Sequence, residues 1–415
     1  MRFQAPRGTE DVLPNDSHRW HRLESIFQTV SALYGYREVR TPTFEDTQLF
    51  LRTSGETSDI VTKQMYTFKD KGDRDITLKP EGTAPVMRAL IEAGMLTQGQ
   101  TLKVSYNTPF FRYERPQKGR LREAHQFGLE YIGSQSPLAD AEVIEATIRF
   151  YREIGLTQLS VELNSLGREQ CRANYRNALL EFVRDSLSLE PDEQSKVEKN
   201  PLRLLDSKAP DVIEKMRSAP PISEFWEPEC ADRFAQVQEA LRKAEIPFQV
   251  SPSIVRGLDY YTETVFEVHQ VGIGAQSALC GGGRYDNLIK ELGGPAQPSV
   301  GVGMGVERAL LALEAMEIEI PAPNIQVMVI AASDEHRNQA MAWARMLRNQ
   351  GVSCEIDLDG KSMKSQLKSA DRLCASFAWI IGDDEAQAGK VTVRNMSTSE
   401  QTLMDVESAV QAAKA

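Results

Sequence analysis

The alternation of apolar and polar residues lays out most of the elements before any chemistry is considered. Trp20, Leu23, Ile26, Phe27, Val30 and Leu33 recur at helical spacing, and Gly35 supplies a stop. YREVRTPTFED reads as an extended segment closed by Pro42. KQMYTFKD reads as a strand and KGDRD as a charged turn. DITLKPEGTAPVMRAL then enters a helix with Pro85 in its first turn and Thr83 placed to cap it. Between Leu102 and Ser134, LKVSYNTPFFRYE and AHQFGLEYIGS alternate like paired strands around the loop RPQKGRLRE. Successive strand side chains face opposite ways. Arg112 and Glu114 are therefore expected on one face of the first segment, with Phe111 and Tyr113 on the other. In the second, Gln126, Gly128 and Glu130 lie together while Phe127, Leu129 and Tyr131 pack behind them.

A helix over Leu138–Ile154 and a strand, LSVELNSLG, come next. From Arg168 to Lys243 charged helical segments are interrupted by NPLRLLDSKAP and RSAPPISEFWEP, the pattern of a helical insertion. Strand signals return in PFQVSPSIVRGLDYYTETVFEVHQ, followed by CGGGRYDNLI and SVGVGMGVERALLALEAM. Gly301, Gly303 and Gly305 share one strand face, which lets a flat ligand or a neighbouring backbone approach closely; tight strand packing explains them equally. Neither G-x-G-x-x-G nor G-K-[ST] is present there, so no dinucleotide or Walker fingerprint is read. EIPAPN is the best linker. Beyond it strands and helices alternate as in a small α/β domain with a largely parallel sheet. Lys361, Lys364 and Lys368 line its second helix, where a solvated face is the ordinary account.

The 415 residues exceed what one core usually organises, and 41% hydrophobic with 26% charged residues is ordinary for a globular protein. A net charge of -11 argues against a simple nucleic-acid coat. Against it stands the basic loop, with Arg115, Lys118, Arg120 and Arg122, which asks for a polyanion. The five cysteines are odd in number and none are spaced like a zinc knuckle, so a reduced, cytoplasmic setting and no structural metal are expected. His18 and His21 sit one turn apart without a third ligand and read as a solvated helix face. The N-terminus lacks an apolar run, and no segment reaches the ~20 apolar residues that span a bilayer, so no membrane partner is expected. Taken alone, Glu81 reads as a capping or surface carboxylate.

In order along the chain, RGTEDVLP, VRTPTFE, FRYERPQKGRLRE with HQFGLE, RGLDYYTETVFE, GGGRYDNLI and GVGMGVER resemble the class II aminoacyl-tRNA synthetases and, within them, the histidyl-tRNA synthetase family. The resemblance implies an α+β fold: an antiparallel-sheet catalytic domain with a helical insertion, plus a C-terminal α/β anticodon-binding domain. The corresponding segments are 1–167 (motifs one and two), 168–243 (the insertion), 244–320 (the histidine signatures and motif three) and 325–415 (anticodon binding). It implies L-histidine, ATP with Mg2+ and tRNA(His) as substrates, and a homodimer joined through the first motif near Pro42.

By the same resemblance, Arg112 grips the α-phosphate and the substrate carboxylate, and Arg256 lies across that phosphate. Both count as catalytic, and both also touch the histidine. Glu81, Gly82, Thr83, Gln126 and Glu130 hold the amino-acid end and part of the ring, and Tyr260 and Tyr261 complete the pocket. Glu114 reads the adenine edge and Arg308 stacks over the base, while Arg115 and Gln117 approach the tRNA acceptor end. One position departs: the aromatic residue that the family places before His-Gln, packing on adenine, is Ala124 here. Phe127 lies on the opposite face and cannot replace it. Two rivals compete. A synthetase-like regulatory paralogue would bind histidine without charging tRNA, but such proteins typically lack the C-terminal domain and have eroded motifs. A non-catalytic RNA-binding protein is opposed by the acidic total and the paired arginines.

Overall fold

The computed structural model describes residues 3–54, 60–115, 119–187, 194, 197–198, 201–205, 209–252, 254, 260–273 and 277–414. Gln117, Lys118 and Arg256 lie outside the described residues. The chain divides into two compact units, Met1–Ile320 and Pro321–Ala415.

The first unit begins with helix α1 (Ser17–Leu33), and Gly35 follows at a φ of 77°, a conformation that ends the helix cheaply only with glycine. His18 is not a solvated helix-face residue: its Nε2 lies 3.0 Å from the Ile320 carbonyl. Strands β1 (Arg37–Glu38), β2 (Phe44–Asp46), β3 (Tyr66–Lys69) and β4 (Asp75–Leu78) are short, with helix α2 (Thr47–Ser54) between β2 and β3. β2, β4 and β3 form a small antiparallel sheet. Helix α3 (Thr83–Glu92) leads to β5 (Leu102–Phe111) and β6 (Glu123–Ile132). Helix α4 (Pro137–Glu153), β7 (Leu159–Ser165) and helix α5 (Glu169–Ser186) follow. Later strands are β8 (Phe248–Val250), β9 (Thr264–Gln270), β10 (Ala278–Arg284) and β11 (Ser299–Gly305).

The main sheet has the order β1-β5-β6-β11-β10-β9-β7-β8. Its six central strands are antiparallel, and β1 and β8 close the two edges by parallel pairing. One face is apolar: Phe127 and Leu129 of β6 and Val300, Val302 and Met304 of β11 meet α1, α4 and the helices Val306–Ala315 and Pro228–Lys243. Phe127 stacks on Phe27 with ring centroids 4.4 Å apart. The other face, beneath α3 and α5, carries Tyr106, Tyr260, Tyr261 and Tyr285 among its apolar residues. Period-two alternation assigns the strand residues to opposite faces, whereas Tyr260, Tyr261 and Tyr285 reach this face from just outside the strands.

The β5 pattern stops sooner than its alternation suggests. The strand ends at Phe111, because the Tyr113 amide donates to the Gln64 carbonyl and the Glu114 amide turns back onto Arg112. Arg112 and Glu114 therefore do not share a strand face.

In the second unit, β12 (Val327–Ala331) is flanked in parallel by β13 (Cys354–Ile356) and β14 (Phe377–Ile381). Antiparallel β15 (Lys390–Asn395) and β16 (Gln401–Asp405) complete the sheet, which is mixed rather than largely parallel. The lysine row is also shorter than expected. The helix runs Met363–Arg372, and Lys361 lies before it, bound to Asp357 and Asp359 at 3.2 Å each. Lys364 and Lys368 remain exposed on the helix.

Candidate active site

The site is built on the polar face of the β5/β6/β11 strands, with α3 closing one end. β6 presents Gln126, Gly128 and Glu130 toward this face, opposite Thr108, Tyr106 and Val104 of β5. On the other side β11 places Gly305, Gly303 and Gly301 against the same three residues. The glycines make room for side chains: a Cβ on Gly301 would fall 1.6 Å from Glu130 Oε2, and one on Gly303 would fall 2.0 Å from Gln126 Nε2. The space those glycines leave is filled by the two polar side chains, and only residues lacking a Cβ permit it.

Glu81 and Glu130 are both buried, at 3% and 0% exposure. Glu81 caps α3, accepting from the Thr83 and Ala84 amides at 2.6 and 2.8 Å. The capping carboxylate reading thus holds for Glu81, and it displaces Thr83 from the capping role. Thr83 is inside the helix, and its hydroxyl instead donates to Glu130 Oε1 at 2.7 Å. The Tyr285 hydroxyl donates to the other oxygen of Glu130. Tyr106 stands beside Thr83, with the two hydroxyls 3.5 Å apart. Gly82 leaves room for its ring, since a Cβ there would lie 2.4 Å from it.

Burial raises the Glu81 carboxyl above the ordinary carboxylate range, against the pull of the α3 amides and of Arg112. Burial pushes Glu130 up to about 8, although hydrogen bonds from Tyr285 and Thr83 oppose it and the nearby Glu81 adds to the rise. Two carboxyls with poor charge compensation in one buried polar cluster are suited to a cationic, hydrogen-bonding guest.

Tyr260 and Tyr261 adjoin this pocket, their ring centroids 4.8 Å apart, and Tyr285 meets Tyr260 at 5.7 Å. Tyr261 is held through its carbonyl, which accepts from Arg172 of α5 at 2.7 Å. Sequence reasoning did not single out Tyr106 or Tyr285. The missed signal for Tyr106 was its alternation with Val104 and Thr108, which puts it across from Gly128. Tyr285 lies in GGGRYDNLI, where its neighbours in sequence do not report its partner Glu130.

Arg112 anchors its Nε on the Pro80 carbonyl at 2.8 Å, and its guanidinium lies 5.1 Å from the Phe110 ring centroid. It is close enough to Glu81 to lower that carboxyl. Phe110 is half-buried and pairs directly with Ala124, so the polar face carries an aromatic ring across from the alanine. Glu114 pairs with Arg120 at 3.6 Å. Arg308 donates to the Ala278 carbonyl at 2.5 Å. Burial, then Arg120, pushes the Arg308 guanidinium down, and Glu114 pulls the other way. Glu114, Arg120 and Arg308 thus form a second charged group. Arg115 is exposed. His125 is tied to Glu307, which accepts from its backbone amide at 2.9 Å and meets its Nδ1 at 2.9 Å. That bond locks the start of β6 to the helix Val306–Ala315.

The family profile for histidyl-tRNA synthetase matches residues 8–309. This chain belongs to the histidyl-tRNA synthetase family. The profile for the anticodon binding domain matches residues 326–415. A histidine–tRNA ligase of Caldanaerobacter subterraneus subsp. tengcongensis is 46% identical over 416 residues, covering 100% of both chains. The apo histidyl-tRNA synthetase of S. aureus superposes with a TM-score of 0.84 at 37% identity, again over 100% of both chains. A Bacillus halodurans protein described as an ATP phosphoribosyltransferase regulatory subunit/histidyl-tRNA synthetase gives 0.65 at 25% identity, covering 89% of this chain and 96% of its own. Family membership agrees with the motif order read along the chain, and with an antiparallel catalytic sheet beside a separate α/β unit. No helix of the described residues is long and apolar enough to cross a membrane.

Proposed function

We infer that this chain is a histidine–tRNA ligase. In its first step the carboxylate of L-histidine attacks the α-phosphorus of ATP, forming histidyl-adenylate and releasing pyrophosphate. In the second a ribose hydroxyl of the 3'-terminal adenosine of tRNA(His) attacks the activated carbonyl, and AMP leaves. ATP enters with Mg2+, which shares the neutralisation of the phosphate oxygens.

The observation that carries the reading is the grouping of Arg112, Glu81, Thr83 and Glu130 on one polar sheet face. Negative charge grows on the α-phosphate oxygens as the carboxylate attacks, and a fixed cation there acts without reorganising. Arg112 suits this role because it is always charged, forks across two oxygens and is aimed by its bond to Pro80. Glu81, with Gly82, Thr83 and Gln126, receives the histidine ammonium end. Glu130, Tyr260 and Tyr261 satisfy the imidazole, and an analogue without ring nitrogens would strand their buried polar groups. Tyr106 and Tyr285 position Thr83 and Glu130 from behind. Arg308 and Glu114 hold the adenosine. Phe110 takes the stacking place that Ala124 cannot fill, since the two face each other across β5 and β6. Arg256 is assigned to the same phosphate as Arg112, and Arg115 and Gln117 to the acceptor end, on their motif positions.

We further assign a homodimer in the cytoplasm. In its favour, the face of the small sheet that carries Phe44, Tyr66, Phe68, Ile76 and Leu78 is partly uncovered, and Phe44 and Phe68 are 55% and 48% exposed. A second copy of the chain would bury it.

Labelled pyrophosphate should exchange into ATP only when histidine is supplied. Exchange without histidine, or with another amino acid in its place, would refute the assignment. Phe110→Ala should raise the KM for ATP about tenfold, in line with the ~1–3 kcal/mol of base–aromatic stacking, and leave the KM for histidine unchanged.

A further inference from the structure

Cys171 and Cys230 are far apart in sequence, yet the fold brings their sulfurs to 3.7 Å, and both are buried. Each is the third residue of a helix, Cys171 in α5 and Cys230 in the helix Pro228–Lys243. A helix start favours thiolate, but burial pushes the Cys230 thiol up, so a bound cation has to displace its proton. Glu227, at the N-cap of the second helix, brings a carboxylate oxygen within 4.8 Å of both sulfurs, and its amide faces Cys171 Sγ at 3.5 Å.

The spacing has a specific chemical meaning. Two thiolates held at about 2.3 Å on one tetrahedral ion stand roughly 3.8 Å apart, and these sulfurs are already at that separation. A disulfide would need them at about 2.0 Å. Two thiolates, one carboxylate and a divalent cation leave a single negative charge. Arg168 lies beside it, near Cys230 and held by Glu229 and Glu263.

We propose that Cys171, Cys230 and Glu227 form a binding site for a borderline-soft divalent cation of the zinc type, with water as the fourth ligand. Soft thiolates with one carboxylate select such an ion over magnesium or calcium. Its place in the fold gives it a structural consequence. Arg172, next to Cys171 on α5, holds the Tyr261 carbonyl, so an ion that pins the two helix starts also steadies the tyrosine segment of the pocket.

The test uses the full chain, reduced and freed of metal, titrated with Co2+ as a coloured stand-in and then with Zn2+. The expected result is a saturable thiolate-to-cobalt charge-transfer band with the visible absorption of a tetrahedral ion, both lost on adding Zn2+. Cys171→Ser and Cys230→Ser should each abolish the tetrahedral spectrum. Glu227→Gln changes an exposed side chain, leaves the core intact and should retain the thiolate band at lower affinity. Absence of a charge-transfer band in the unaltered chain would overturn the site. So would a spectrum unchanged in either serine variant, or an affinity unchanged in Glu227→Gln.

Discussion

Two groups of buried carboxyls in the first unit meet opposite conditions. Asp140 is buried against Arg284, whose guanidinium is itself 0% exposed and reaches it at 2.5 Å. Thr264 donates to the same carboxylate at 2.7 Å, while Arg284 also bonds Asp286 and the carbonyls of Ser134 and Ser136. Every charge there has its partner inside the protein. Glu81 and Glu130 are equally buried, but amides and hydroxyls bond them, and among the described residues Arg112 and Lys79 act on Glu81 as nearby cations. The first group is a closed structural clamp joining α4 to β10. Burial raises the Asp140 carboxyl too, against the pull of Arg284 and Thr264. The contrast therefore lies in the partners: no buried guanidinium among the described residues is seen bonded to Glu81 or Glu130, as expected of a site completed by its ligand.

This contrast can be broken from either side. The largest effect is expected at the clamp: Asp140→Ala strands a buried guanidinium and should cost about 3–5 kcal/mol of stability. Denaturant unfolding would measure it, and activity per folded molecule should survive. Arg112→Ala should do the reverse. Histidine-dependent pyrophosphate exchange should fall about 10²–10³-fold, while the unfolding midpoint stays close to that of the parent. If Arg112→Ala unfolds the chain and Asp140→Ala only slows it, the two groups have been assigned the wrong way round.

An effect smaller per pH unit separates the carboxyls themselves. In the folded chain Glu130 keeps its proton up to about 8, whereas its ordinary value is 4.5. Over that window the folded state binds more protons than the unfolded one, so stability falls as pH rises, with a limiting slope of about 1.4 kcal/mol per pH unit from this group. Glu130→Gln should remove that part of the slope, seen by unfolding at pH 5 to 8, and should weaken histidine binding. The smallest effect is expected in the second unit. Lys364→Glu combined with Lys368→Glu should leave pyrophosphate exchange unchanged and raise the KM for tRNA several-fold, in a salt-dependent way.

Much of this was legible along the chain. The period of two in AHQFGLEYI put Gln126 and Glu130 on one face and Phe127 and Leu129 on the other, because a buried face leaves the register no freedom. Helical spacing placed α1 and α4 nearly to their ends. Other features depended on partners distant in sequence. β5 stops at Phe111 because Gln64 captures the amide of Tyr113. Thr83 loses the capping role because Glu81 reaches the α3 amides first. QTLMD becomes strand β16 only by pairing with β15, since most of its residues are exposed and carry little pattern.

Local periodicity and ordered motifs were enough to determine the family, the antiparallel core and the separate α/β unit, since each is written in neighbouring residues. Tertiary structure alone decided which charges are neutralised. Arg284 and Asp140, Glu130 and Tyr285, and Cys171 and Cys230 come from remote segments, and no sequence spacing reports their distances. Burial then sets their chemistry, because a charge withdrawn from water depends on whatever the fold has placed within a few ångströms of it.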